Sequence, residues 1–105
     1  LRKNVPITGA EVDQHTRMVL QKNELLPYVR HRTGHAIDTR LHGIGVNLDT
    51  IEFPDSRPLI DGSCFSIEPG VYLPEYGIRS EINAYIQGKE LMISGGIPQQ
   101  KVLSL

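Results

Sequence analysis

Residues 77–86 read Gly-Ile-Arg-Ser-Glu-Ile-Asn-Ala-Tyr-Ile, and this stretch decides the predicted fold. Small or apolar residues occupy the even positions from 78 to 86, while charged, amide and aromatic residues occupy the odd positions. Successive side chains of a strand point to opposite faces, so this period-two pattern predicts one continuous β-strand with an apolar and a polar face. Glu81 would then lie in mid-strand, on the polar face between Arg79 and Asn83.

The segments on either side of this stretch also predict β-structure. Residues 64–68 alternate, with two apolar side chains on one face and Glu68 at the end of the other. Gln87-Gly88-Lys89 predicts a hairpin turn into residues 90–93, and residues 99–105 predict a last strand.

Upstream of the strands the pattern changes to helix and loop. Thr8 and Glu11 fit a capping box, and the apolar residues that follow at helical spacing predict an amphipathic helix over residues 9–24. Pro27 should stop this helix, because proline lacks a backbone donor. Residues 47–63 combine prolines, a glycine and scattered acids, which predicts a long surface loop. The predicted fold class is α+β, with a helix packed on a curved antiparallel sheet.

The composition narrows the class of protein. Of the 105 residues, 39% are hydrophobic and 22% are charged, which is ordinary for a globular domain. The net charge of −1 gives no electrostatic case for binding nucleic acid or anionic lipid, and no apolar run approaches the ~20 residues of a membrane span. Cys64 is the single cysteine, which favours a reducing, cytoplasmic location. Because the chain begins with Leu1 rather than methionine, we expect a fragment.

Three of the four histidines lie within residues 31–42. Glycines and β-branched residues between them disfavour a helix and favour an extended or looped path. On an extended path the even spacing puts His31 and His35 on one face, whereas His42 has the opposite parity and needs a bend. The plain alternative, three unrelated histidines on polar loops, stays open on composition alone.

Two carboxylates could join these histidines, since imidazole and carboxylate are ligands that divalent metals share. Glu68 ends an apolar strand, where it would lose solvation and need a partner, a proton or a metal ion. Glu81 has Arg79 ~6.5–7 Å away on its own strand face, in a position to orient it. The alternatives are an exposed glutamate at a strand end and a weak surface ion pair. The other aspartates are assigned to the helix or to loops, without a role in the site: Asp13, Asp38, Asp49, Asp55 and Asp61.

In this order and spacing the motifs resemble the C-terminal half of the pita-bread metallopeptidases, the family of methionine aminopeptidase, Xaa-Pro aminopeptidase and prolidase. The matching pieces are His31-x-x-Gly-His35 with His42 seven residues on, Ile67-Glu68-Pro69-Gly70-x-Tyr72, and Gly77-Ile78-Arg79-x-Glu81. The resemblance covers nearly the whole chain and is closest to the Xaa-Pro branch. It implies that residues 1–105 are a partial catalytic domain, the C-terminal half of a pita-bread fold.

The resemblance also implies a role for each matched side chain. Three would ligate two divalent ions, manganese, cobalt or zinc, in the complete domain: His35, Glu68 and Glu81. Glu68 would in addition shuttle the proton of a metal-activated hydroxide. Two would line the substrate pocket and position the scissile carbonyl: His31 and His42. Two would support the ligands and the substrate: Arg79 and Tyr72.

The implied activity is that of a metal-dependent exopeptidase, a Xaa-Pro aminopeptidase or dipeptidase that cleaves a short peptide next to proline. The family takes two further aspartate ligands from upstream strands, and here only Asp13 precedes His31. The fragment alone is therefore expected to bind metal weakly or not at all and to cleave nothing. An incomplete sheet would expose an apolar face, so we also expect self-association, as a homodimer.

Several positions depart from the family pattern, and these departures leave the candidate ligands intact while bearing on substrate preference. They are Ala36, Asp38, Gly43 and Ile82-Asn83. Two other functions stay open. One is a non-catalytic pita-bread module that binds peptides or proteins; the other is a mononuclear zinc or non-haem iron protein that uses His31 and His35.

Overall fold

The structure is a computed structural model in which residues 6–104 are described. Within that range the chain forms one α-helix, one 3-10 turn and five short strands, a mixed α+β fold as predicted. In chain order they are α1 (Gly9–Lys22), the 3-10 turn (Leu26–Tyr28), β1 (Cys64–Ile67), β2 (Gly70–Tyr72), β3 (Gly77–Arg79), β4 (Ile82–Gln87) and β5 (Glu90–Ile93). In residues 6–104 no helix has the length and apolar composition needed to cross a bilayer.

Helix α1 begins and ends close to its predicted bounds. The Thr8 side chain accepts a hydrogen bond from the Glu11 amide at 3.2 Å, and the Thr8 amide donates to Glu11 Oε2 at 2.7 Å. This backbone hydrogen bond lowers the pKa of the Glu11 carboxyl, and the two bonds together are the predicted capping box. The helix ends at Lys22, and the 3-10 turn that contains Pro27 follows it.

The strands form two antiparallel sheets, one in the order β1-β4-β5 and the other with β2 beside β3. The hairpin between β4 and β5 is confirmed, with Gly88 and Lys89 at its turn. Side chains from β1, β4 and the long loop form the core, and Val12 of α1 packs against it. The buried members of this core cluster are Leu48, Leu59, Phe65, Ala84 and Ile86.

The prediction of one continuous strand over 78–86 was wrong, because the strand is interrupted at Ser80 and Glu81. The partner segment is interrupted at the facing positions, where β1 ends at Ile67 and β2 begins at Gly70. Pro69 lies in this gap and has no N–H to donate to a ladder, so the pairing breaks there and two sheets replace one.

Two other predictions need correction. Residues 99–104 form no strand, and Leu105 lies outside the described residues. Residues 47–63 are irregular, as predicted, but they are not simply a surface loop. Four of their side chains are buried: Leu48, Asp49, Asp55 and Leu59.

Candidate functional site

The histidine segment takes a looped path that lies against β1. Ala36 forms an isolated bridge to Phe65, and the Ser66 amide donates to the His35 carbonyl at 2.9 Å. Gly34 makes this close approach possible, because a Cβ there would lie 1.8 Å from the Ser66 carbonyl oxygen. The glycine beside His35 therefore sets the distance between the histidine segment and the strand that leads to Glu68.

His35 and Glu68 form the centre of the candidate site. His35 Nε2 lies 3.6 Å from Glu68 Oε1, and the two side chains are 7% and 15% exposed. His35 Nδ1 lies 3.0 Å from the Ala36 carbonyl oxygen, which can only accept, so Nδ1 carries the proton. In the neutral imidazole the Nε2 lone pair then faces Glu68, which is the tautomer that a metal-ligating histidine requires.

The Ser66 hydroxyl links the two members of this pair, a contact that sequence reasoning missed. Ser66 is fully buried, and its Oγ accepts from the His35 amide at 3.0 Å and donates to Glu68 Oε1 at 3.4 Å. The signal in the sequence was its place two residues before Glu68 on the same strand face.

His42 also reaches this centre, although its side chain is exposed. Bends over residues 38–42 turn the chain back, so that the His42 ring centroid lies 4.2 Å from that of His35. The hydrogen bonds that Asp38 accepts from the amides of Arg40 and Ile44 stabilise this loop and lower the pKa of the Asp38 carboxyl.

His31 lies apart from the His35–Glu68 pair and contacts Tyr72 instead. Its Nδ1 lies 2.8 Å from the Arg32 carbonyl oxygen, so that nitrogen carries the proton and Nε2 can only accept in the neutral ring. The Tyr72 hydroxyl therefore donates to His31 Nε2, at 2.6 Å. The two predicted pocket histidines are thus held by different partners.

Glu81 is the predicted ligand that the structure does not bring to His35. Ile67 faces Ile82 and Gly70 faces Arg79, so counting inward puts Glu68 and Glu81 at facing positions of the two interrupted segments. Glu81 is nevertheless exposed, and within residues 6–104 it forms no ion pair with Arg79. A cleft of about 390 Å³ lies beside these two residues, and residues 98–102 line its other side.

The donor set fits a metal ion only in part. Two ligands of one ion, each ~2.1 Å from it, lie no more than ~4.2 Å apart, so the 3.6 Å between His35 Nε2 and Glu68 Oε1 is compatible with shared coordination. In the part of the chain that the structure describes, however, no group of three His, Cys, Asp or Glu side chains is arranged to hold a metal ion. Within residues 6–104 the structure therefore assembles a histidine–carboxylate pair and no larger group of candidate ligands.

Two aspartates that the sequence left without a role are buried and fully engaged. Asp13 on α1 is 1% exposed and accepts hydrogen bonds from Thr33 and Thr50. Asp55 is 2% exposed and binds Arg57, which lowers the pKa of its carboxyl to about 2. Thr33 and Thr50 lie 20 and 37 residues from Asp13, so only the tertiary fold reveals these contacts, whereas Arg57 lies two residues after Asp55.

A buried histidine and carboxylate at ligand spacing, on an α+β frame, are the kind of pair from which metal sites in proteins are built. Residues 2–88 match metallopeptidase family M24, and the chain belongs to this pita-bread family, in its Xaa-Pro aminopeptidase and dipeptidase branch.

Individual relatives support this membership. The chain is 37% identical, over 71% of its length, to a Xaa-Pro dipeptidase of Lactobacillus helveticus. It superimposes on a Xaa-Pro dipeptidase structure from Bacillus anthracis with a TM-score of 0.79 and 27% identity, covering 90% of this chain and 26% of that one. The dipeptidase PepE structure from Mycobacterium ulcerans gives a TM-score of 0.76 and 33% identity, covering 89% and 24%. The chain spans only 20% of the Lactobacillus relative and about a quarter of the two solved chains.

Proposed function

We propose that this chain is part of the catalytic domain of a metal-dependent exopeptidase that hydrolyses a peptide bond next to proline. The observation that carries the proposal is the buried His35–Glu68 pair, with its donor atoms 3.6 Å apart, in a chain of family M24. The relatives named Xaa-Pro dipeptidase support a short, proline-containing peptide as substrate, with aminopeptidase and dipeptidase activity both included in the proposal.

In the proposed complete domain, two divalent ions, manganese, cobalt or zinc, would supply Lewis acidity and an activated water at neutral pH. His35, Glu68 and Glu81 would hold them together with ligands from outside this chain. The facing register of Glu68 and Glu81 supports this assignment, because opposite residues of an antiparallel pair share a face. Arg79, two residues from Glu81, would orient its carboxylate.

The other site residues would act on the peptide and on protons. Glu68 is 15% exposed, so its carboxylate can take a proton at Oε2 while Oε1 stays near His35. His42 lies beside His35 on the exposed side, where its imidazole can donate to a substrate carbonyl oxygen. His31 would line the pocket with its ring fixed by Tyr72.

The proposal also covers metal binding by the isolated chain, its location in the cell and its oligomeric state. It keeps the expectation that the chain alone binds metal weakly and is inactive. Cys64 is a free thiol, which supports a reducing, cytoplasmic location. The proposal includes a homodimer of the isolated chain.

The test compares the 105-residue chain with the same chain after its own upstream sequence has been restored. We expect two bound metal ions and cleavage of Ala-Pro or Ala-Pro-Ala only in the extended polypeptide, measured by metal analysis and by release of free alanine. Glu68→Gln should lower kcat roughly 100-fold or more, since it removes the proton-transfer group. Glu75→Gln is the matched control, because Glu75 is an exposed glutamate at the bend after β2.

One observation favours a second candidate, a non-catalytic pita-bread module that binds peptides. The exposed Glu81 leaves the three candidate ligands unassembled in residues 6–104, and a binding module has no need to assemble them. An extended polypeptide that binds proline peptides but retains no metal and releases no product would favour this candidate over the peptidase.

A further inference from the structure

The carboxylate of Asp13 is the most heavily hydrogen-bonded side chain near the candidate site. It is 1% exposed on the inner face of α1. Oδ1 accepts from the Thr33 amide at 2.9 Å and from the Thr33 hydroxyl at 2.6 Å. Oδ2 accepts from the Thr50 amide at 2.9 Å, from the Thr50 hydroxyl, and from Arg17 Nε at 3.0 Å.

These five donors keep the buried carboxylate ionised. Burial raises the pKa of the Asp13 carboxyl, but the hydrogen bonds from Thr33, Thr50 and Arg17 outweigh it and hold the pKa below its ordinary value. A charged acceptor makes stronger hydrogen bonds than a neutral one. Asp13 is therefore a strong anchor for the two segments that donate to it.

Thr33 connects Asp13 to the candidate site. Its amide and hydroxyl bind Asp13, while its carbonyl accepts from the Glu68 amide at 2.6 Å. Thr33 also lies two residues before His35 in the segment that packs on β1. A shift of Thr33 would thus move the backbone of Glu68 and, through the intervening residue, that of His35.

We infer that Asp13 is a positioning residue, which acts through Thr33 to set the distance between His35 and Glu68. Its importance for catalysis rests on the proposed function, whereas the structural linkage does not. The carboxylate contacts neither His35 nor Glu68, so the effect passes through Thr33. Thr50 provides an internal comparison, because it donates the same two groups to the same carboxylate but makes no contact with Glu68.

The test measures amide hydrogen exchange by NMR on the ¹⁵N-labelled chain. Thr33→Val removes the hydroxyl donor but keeps the amide and the β-branched shape. We expect the Glu68 amide to exchange roughly tenfold faster in Thr33→Val, as the loss of a hydrogen bond to a charged group implies, after correction for global stability. Thr33→Ser should restore the protection, and the matched variant Thr50→Val should leave the Glu68 amide at its wild-type rate.

A second variant serves if Thr33→Val does not fold. Asp13→Asn keeps one side-chain oxygen and replaces the other with an NH₂ group. We expect the oxygen to face the three donors from Thr50 and Arg17, so that the NH₂ group faces Thr33. It should therefore also accelerate exchange at Glu68. Equal acceleration by Thr50→Val, or unchanged exchange in both Thr33→Val and Asp13→Asn, would overturn the inference.

Activity gives a separate readout in the polypeptide with its upstream sequence restored. There Thr33→Val should lower kcat more than it raises KM, while Thr50→Val should leave both constants near wild type. If the extended polypeptide has no peptidase activity, the proposed function fails, and the exchange experiment still decides whether Asp13 positions the pair.

Discussion

His31 and Tyr72 show at the residue scale how the local sequence fixes a single imidazole. The Arg32 carbonyl holds the proton on His31 Nδ1, so the Tyr72 hydroxyl must donate to Nε2. Gly70 leaves room for this contact, because a Cβ there would lie 2.8 Å from His31 Nε2 and 2.7 Å from the Tyr72 hydroxyl oxygen. Gly70 is thus needed for the packing of β2 against the histidine segment.

Tyr72→Phe tests this pair. We expect the free energy of unfolding to fall by about 0.5–1.5 kcal/mol, the usual net contribution of one hydrogen bond, in urea denaturation at neutral pH. The ¹⁵N shifts of the His31 ring should also move toward a mixture of the two tautomers, because Nε2 loses its donor. Tyr85→Phe is the matched control, since Tyr85 is exposed on β4. A tautomer mixture already present in the wild-type chain would contradict the assignment.

The sequence indicated the candidate site residues more readily than the residues that hold them in place. The motifs that resemble the family single out His35 and Glu68, whose Nε2 and Oε1 atoms lie 3.6 Å apart, and their role as ligands stays a prediction. Asp13 and Asp55 received no role, because a carboxylate in a helix or loop carries no sign of burial in its own neighbourhood. Asp13 accepts from Arg17 at helical spacing, but its other donors lie 20 and 37 residues away, and Asp55 has a donor eight residues away besides the nearby Arg57. The folded chain is needed to bring the distant partners together.

At the element scale, Arg57 ties the long loop to the loop that carries His42. Its Nε and Nη2 donate to the two oxygens of Asp55, at 2.9 and 2.6 Å. The same guanidinium donates to the carbonyl oxygens of Ile44 and Gly45, at 3.0 and 2.8 Å. A segment without regular secondary structure is held in this way by one charged cluster.

This cluster predicts a loss of stability in acid. The pKa of Asp55 is about 2 in the folded chain and 3.8 ordinarily, so its stabilising effect is complete above pH 3.8 and is lost as the pH falls through 2. Burial and hydrogen bonds shift the pKa of Asp13 in the same net direction. We expect the free energy of unfolding to decline from about pH 5 downward, in urea titrations at several pH values.

Asp55→Asn should flatten this decline and cost about 1–2 kcal/mol at neutral pH, a discounted value because the Arg57 side chain is 55% exposed. Glu75→Gln removes one negative charge from an exposed bend, so the difference between the two variants excludes the general effect of losing a charge. A pH profile that is equally steep in Asp55→Asn and in the wild-type chain would contradict this account.

The bounds of a helix or hairpin were predicted well where a single local motif determines them. The capping box located the start of α1, and the Gly88 turn located the β4–β5 hairpin. The interruption at Ser80 and Glu81 was missed, because the alternation of side chains continues in one register across it. Its cause is Pro69 on the facing segment, so a pattern within a single strand could not reveal it.

At the scale of the whole molecule, the chain exposes more surface than a typical folded monomer of the same mass. Its accessible area is 7720 Å², whereas a folded monomer of 11.7 kDa exposes roughly 5,900 Å². The radius of gyration, 14.3 Å, likewise exceeds the ~13 Å of a compact domain of this length. The excess area is comparable to what a protein–protein interface buries, which supports the expectation that the isolated chain covers part of its surface by association.

Strand β5 is where we expect a second copy to bind in the isolated chain. It is an edge strand in the order β1-β4-β5, and three consecutive exposed side chains are apolar: Leu91, Met92 and Ile93. Leu91 also borders an apolar cavity of about 150 Å³, lined by core residues such as Phe65 and Ile86. An exposed apolar stretch on an edge strand, beside an apolar cavity, favours association with an identical stretch, because the two copies cover each other's apolar side chains.

Leu91→Lys puts a charge beside this cavity and on the edge strand β5. A charge at either place opposes association of two copies through β5. In sedimentation velocity the wild-type chain should form a dimer at micromolar concentration, and Leu91→Lys should weaken the dimer at least tenfold. Leu103→Lys is the matched control, because Leu103 is 78% exposed outside the strands and should leave the dimer intact. A monodisperse wild-type monomer would refute self-association, and equal weakening by both variants would place the interface elsewhere. If sequence upstream of this chain, rather than a second copy, covers β5, a polypeptide extended at its N-terminus should protect the β5 amides from exchange.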